Sequence, residues 1–130
     1  MYEATTHLIR VRATPHYLDD RSDPDERRYF WAYTIEIANL SAEPVQLKSR
    51  YWRITDETGR IDEVRGPGVV GETPVLVPGG SYKYTSGCPL PTPSGIMVGQ
   101  FYMVTDAGSE FAVDIPAFSL DIPDVKRAVN

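Results

Sequence analysis

The run Arg65-Gly66-Pro67-Gly68-Val69-Val70-Gly71-Glu72-Thr73-Pro74 carries the glycine spacing of a dinucleotide-binding loop. In a working loop of that kind the third glycine opens a helix whose N-terminal amides hold a pyrophosphate, within a strand-turn-helix unit. Here the next residues are Glu72, Thr73, Pro74, Val75, Leu76, Val77, Pro78, Gly79 and Gly80. Two prolines, two β-branched valines and a closing glycine pair rule out a helix of useful length. The segment is expected to be an irregular loop between strands. As a ligand site it would present the backbone N–H groups of Gly66, Gly68, Val69 and Gly71 as a concave anion nest, assisted by Arg65, for a nucleotide, a pyrophosphate or a metal-phosphate complex. As plain structure it is a crowded turn in which glycines supply positive φ and close approach. Pro67 removes one donor and Glu72 would repel a phosphate at short range, so the turn is the better reading.

The other reactive side chains form no recognisable set. Asp19, Asp20, Asp23, Asp25 and Glu26 lack the glycine and the terminal glutamate of a calcium loop, and Arg21, Arg27 and Arg28 compensate their charge. A solvated loop is expected there. His7 and His16 are the only histidines, and with Cys88 far away in sequence they make no zinc spacing. Cys88 lies between Gly87 and Pro89 with no basic neighbour or helix N-terminus to lower its pKa, and Ser86 and Ser94 lack an identifiable base. No carboxylate pair stands out for acid-base work. The expectation is a protein that is not an enzyme and holds no cofactor or metal.

Bulk properties narrow the class further. A chain of 130 residues is large enough to bury a core without disulfides and too short for two independent cores. Thirteen basic against eighteen acidic residues give a formal charge of −5, which offers no general attraction for nucleic acid or an anionic membrane. One cysteine allows no internal disulfide, and the N-terminal residues lack the pattern of a signal peptide. With no stretch of membrane-spanning length, a cytoplasmic location is expected.

The elements that must position any site follow from eleven prolines and ten glycines, which cut the chain into short segments of period two. A first strand is expected from His7 to Arg12 and a short piece at His16-Tyr17-Leu18, followed by a mobile surface connection from Asp19 to Arg28. The strongest strand sets Tyr29, Trp31, Tyr33, Ile35 and Ile37 on one face and Phe30, Ala32, Thr34, Glu36 and Ala38 on the other, and should be central in its sheet. Val45 and Leu47 are out of phase with Trp52 and Ile54, which calls for a β-bulge near Ser49 to Tyr51. Thr58-Gly59 supplies a hairpin turn into Arg60 to Val64. Tyr82, Tyr84 and Ser86 alternate in a further strand. The stretch Gly87 to Gly95, with three alternating prolines, reads as a stiff extended loop. Ile96 to Thr105 is apolar on both sides, Glu110 to Ile115 alternates, and Pro116 to Leu120 adds a terminal edge. The sum is an all-β sandwich of about seven to eight antiparallel strands. Residues 1–122 are read as one domain and 123–130 as a flexible C-terminal tail.

Aromatic residues exceed what one inward face per strand needs, since a sandwich has a single interior. Trp52, Tyr82, Tyr84, Phe101, Tyr102 and Met103 are therefore candidates for a partner surface, because exposed aromatics and methionine are what protein interfaces use. A core with aromatics at its rims is the competing account.

An ordered series of blocks adds to this reading. Tyr51-Trp52-Arg53-Ile54-Thr55-Asp56 with Gly59, Gly66-Pro67-Gly68-Val69-Val70-Gly71-Glu72, Tyr82-Lys83-Tyr84-Thr85-Ser86-Gly87-Cys88, Thr92 to Met103, and Phe111 with Ile115 to Leu120 together resemble the ApaG family from about Tyr2 to Leu120. The resemblance implies a fibronectin type III-like sandwich. It also implies a family linked to cobalt tolerance and magnesium efflux, whose related domains in F-box proteins and a polymerase-interacting protein suggest a binding module. The expected function is a non-enzymatic module that binds an unidentified protein partner or a second copy of itself. Phosphate binding at the glycine loop is the alternative.

Overall fold

The computed structural model describes residues 1–123, so the expected tail lies, but for Pro123, outside the described residues. Among the described residues nine strands form two antiparallel sheets. The first sheet runs β1 (Tyr2–Thr6), β2 (Ile9–Tyr17), β3 (Tyr29–Asn39), β7 (Ser81–Leu90), in that spatial order. The second runs β5 (Ile61–Pro67), β4 (Val45–Asp56), β8 (Ser94–Thr105), β9 (Glu110–Asp121), with the two-residue β6 (Val75–Leu76) also paired to β4. This is the expected β-sandwich.

Period two places the core. On β3, Trp31, Tyr33, Ile35 and Ile37 point inward, and β3 lies between β2 and β7 as its sequence requires. Across from them lie Leu47 and Trp52 of β4, Met97, Phe101 and Met103 of β8, and Val113, Ile115, Phe118 and Leu120 of β9, all within one apolar cluster. Each fully buried large apolar side chain of this kind contributes about 1.5–3 kcal/mol. The phase change in β4 is resolved by a register shift between Leu47 and Ser49, which leaves Lys48 outward and returns Trp52 to the core. A second shift opposite Val98 places Pro116 and Ala117 in a bulge of β9, so the expected separate edge is the continuation of one long strand.

The two sheets are joined by specific bonds. The Trp31 indole donates Nε1–H to the Asp121 carbonyl at 2.9 Å, tying β3 to the end of β9. Asn39, wholly buried, donates Nδ2–H to the carbonyls of Glu43 and Leu76, both at 2.9 Å, while its Oδ1 accepts from the Ser41 amide and hydroxyl.

Three segments differ from the sequence reading. The first strand does not begin at His7: β1 precedes it, and His7 and Leu8 form the turn into β2 with φ of 50° and 63°. Gly87 to Leu90 is no loop but the end of β7, paired to Tyr29–Ala32 with Cys88 facing the core. The Asp19–Arg28 connection is folded into two 3-10 turns, Asp19–Arg21 and Pro24–Glu26, closed by reciprocal backbone bonds between Asp23 and Arg28.

Candidate functional site

The glycine run contains no helix. Gly66 and Pro67 end β5, and Val69 to Glu72 form a two-residue hairpin closed by Val69 N–H to Glu72 O and Glu72 N–H to Val69 O, both 2.8 Å. Val70 and Gly71 occupy its central positions with φ of 42° and 81°, the type I′ geometry that favours Asn-Gly. A β-branched residue held there is strained, and Val70 is also exposed. Gly68, at φ 60°, has no alternative, because a Cβ on it would lie 2.2 Å from the Glu72 carbonyl oxygen.

This geometry bears directly on the anion nest. The Gly68 amide donates to Lys48 O at 2.9 Å and the Val69 amide to Glu72 O, so two of the four candidate donors are engaged inside the fold. Val69 is fully buried. Gly66 leaves room for the Arg50 guanidinium, which donates to the carbonyls of Pro67 and Gly68, both at 3.0 Å. Arg65 lies over the Tyr51 ring, 4.5 Å from its centroid. The loop is braced by an arginine that sequence reasoning did not single out, and Arg65 packs on the outer sheet surface.

The aromatic set divides. Trp52, Tyr84, Phe101 and Met103 are buried in the core, Tyr82 is half-buried beside Tyr84, and only Tyr102 is exposed. The candidate partner surface is corrected accordingly. Two sheets each supply an inward face, and the inward residues of β4 and β8 meet those of β3 and β7 rather than solvent. Tyr33, Trp52 and Phe118 pack ring to ring at 5.3–5.9 Å between centroids.

A different apolar row faces outward. On β8, between β4 and β9, Ile96 is 51% exposed and Tyr102 38%, with Val98 and Val104 half-buried on the same face. Shallow depressions of roughly 530 Å³ and 400 Å³ adjoin the row, one between Val98, Tyr51, Arg53 and the Pro116–Ala117 bulge, the other between Tyr102, Val104 and Ala112. Tyr102 and Asp114 are held in place through Gln100, which accepts from the Tyr102 hydroxyl at 3.1 Å and donates to Asp114 at 3.0 Å. The signal for this row was legible as a strand apolar on both sides.

The reactive groups are remote from any such face. Cys88 is buried, and burial pushes its thiol up to about 11, away from the thiolate needed for nucleophilic work. Among the described residues no three His, Cys, Asp or Glu side chains converge as a metal site. No helix of the described residues is long and apolar enough to cross a membrane.

Residues 19–105 match the family model of the ApaG domain. The chain is 60% identical over 130 residues to a "Protein ApaG" of Brucella anthropi and 62% identical to that of Mesorhizobium japonicum, covering all of each chain. Among solved structures, one named for the ApaA protein of Bordetella pertussis superposes with a TM-score of 0.87 at 48% identity, covering 88% of this chain and 94% of that one.

Proposed function

The chain belongs to the ApaG domain family, and from that premise we propose that it is a non-enzymatic binding module that mediates protein-protein interaction. The observation that supports this reading most is the outward row of β8. Ile96 and Tyr102 leave apolar surface in water at the middle of a sheet, where alternation would otherwise place polar side chains. Depressions on either side of Gln100 give a partner's side chains somewhere to seat. The strained, exposed Val70 at the tip of the glycine hairpin adds an apolar contact point whose conformation is worth keeping only if something uses it.

The partner is a protein of the cytoplasm, either unrelated or a second copy, and neither nucleic acid nor a membrane, in keeping with a formal charge of −5. The family's link to cobalt and magnesium would then act through that partner. Phosphate binding at the glycine loop draws no comparable support, since Gly68 and Val69 already direct their amides into the fold.

Crosslinking from cells with wild-type protein and an Ile96→Lys/Tyr102→Lys variant tests the reading. Both side chains are exposed, so the variant should fold; it should lose the wild-type partner, and sedimentation velocity separates self-association from a foreign protein. Equal capture by both proteins, or no reproducible partner of the wild type, would overturn it.

A further inference from the structure

We propose that the cleft beside the Asp19–Arg28 connection binds an extended acidic peptide, laid along the free edge of β7 with its carboxylates on Arg21, Arg27 and Arg28. The site lies on the other sheet from the β8 row and does not depend on it. Charge carries the first part of the argument. The connection holds five acidic residues and three arginines, yet all three arginines line one cleft of roughly 620 Å³ and none of the acids does. Among the described residues the ion pairs are those of Arg12 and Arg60, so these three guanidinium groups face the cleft without a carboxylate. On a chain of net charge −5 this is a local reversal of sign. Planar guanidinium forks are suited to paired carboxylate oxygens.

The cleft is also held in shape. Ser22 accepts the Phe30 amide at 3.0 Å and donates to Leu18 O at 2.8 Å, and Arg21 stacks over the Phe30 ring at 5.2 Å. Arg27 is fixed in the left-handed region, φ 59° and ψ 44°, which a non-glycine residue adopts at a cost of about 1–2 kcal/mol. Tyr29, Pro89 and Pro91 share the lining with the arginines and add apolar surface to it.

Strand geometry selects a peptide over a compact anion. β7 pairs with β3 alone and is the outer strand of its sheet. Phe30 O accepts from Leu18 on the β2 side, so even-numbered residues of β3 bond toward β2 and odd-numbered ones toward β7. Their β7 partners are Tyr82, Tyr84, Ser86 and Cys88, which leaves the main-chain groups of Lys83, Thr85 and Gly87 directed at the open edge. An incoming strand can take these bonds, and its length brings alternate side chains to the arginines at the Leu90 end. A small phosphate has no use for that edge.

Titration of the full chain by NMR tests this with a synthetic octapeptide of alternating valine and glutamate, its glutamine counterpart, and pyrophosphate. The glutamate peptide should shift the Arg21, Arg27 and Arg28 side-chain Nε–H signals together with the Lys83, Thr85 and Gly87 amides. Glutamine replacement, added salt, or the Arg27→Gln/Arg28→Gln variant should each weaken it roughly tenfold or more. Absence of these shifts, indifference to salt or to the variant, or pyrophosphate binding as tightly as the peptide would overturn the proposal. Salt dependence is read on the wild type, so the outcome does not hang on how the variant folds.

Discussion

Asn39 Nδ2 donates to the Leu76 carbonyl at 2.9 Å, a bond that runs from the end of β3 in one sheet to β6 in the other. With a second donation to Glu43 O and Ser41 bonded to its Oδ1, one buried side chain fastens the sheets and the turn between them. Asn39→Ala should cost about 2–4 kcal/mol in urea unfolding, because buried carbonyls lose their donor. Asn39→Asp should cost more, since it turns a carboxylate toward those carbonyls.

Tyr84 presents the opposite case. Its hydroxyl is buried and has no hydrogen-bond partner among the described residues, and burial raises its pKa. Tyr84→Phe removes a polar group that gains nothing from its place, so stability should be unchanged or rise by about 1 kcal/mol. A loss of comparable size would reveal an acceptor for that hydroxyl.

In the glycine hairpin the expected effects have opposite signs. Gly68→Ala forces a Cβ against the Glu72 carbonyl oxygen and should destabilise by about 2–3 kcal/mol. Val70→Asn relieves a β-branched residue at positive φ and should stabilise by about 0.5–1 kcal/mol, read as a higher thermal midpoint. Pyrophosphate, with or without magnesium or cobalt, should leave the amide signals of residues 66–71 in place.

Acid lability should trace to Asp56. Its carboxylate accepts from the Thr58 amide and hydroxyl and from the Arg60 amide at 2.7–3.1 Å, and the Thr58 bonds foremost hold its pKa below the ordinary carboxylate value. A depressed folded-state pKa means that the stabilisation is fully present above the unfolded value of about 3.9 and is lost as pH falls through the folded one. Asp56→Asn should flatten the fall in denaturant midpoint between about pH 5 and pH 2.

Cys88 should behave as a core residue. With its thiol pushed up to about 11 by burial, a thiol-specific reagent at neutral pH should label it only as fast as the protein opens. Labelling that matches a free thiol would place it at the surface.

Much of this architecture was legible from alternation. The phase change between Leu47 and Trp52 demanded a bulge, and the register shift falls between Leu47 and Ser49, at the near end of the expected range. The turn at His7 and Leu8 carried little signal, because it contains none of the glycine, proline, asparagine, aspartate or serine that usually mark a turn. Pro89 misled by its type. It pairs opposite Phe30, whose bonds point toward β2, so its missing N–H costs the β3–β7 ladder nothing and β7 continues through it. The burial of most of the candidate aromatic set has a related reason. Trp52 and Phe101 look surplus when each strand is counted alone, but they fill the space between facing layers, while the outer side of β8 carries the aliphatic Ile96 and Val98.

The hydrogen on Gly68 stands where a methyl group would strike a carbonyl, and Gly66 makes way for a guanidinium. Close approach at Gly66 and Gly68 and positive φ at Gly68 and Gly71 account for all three glycines without a ligand, so the letters G-x-G-x-x-G report two unrelated inventions. Whether prolines or helix formers come next tells them apart, and a genome-wide motif tally that ignores what comes next would count this chain among oxidoreductases.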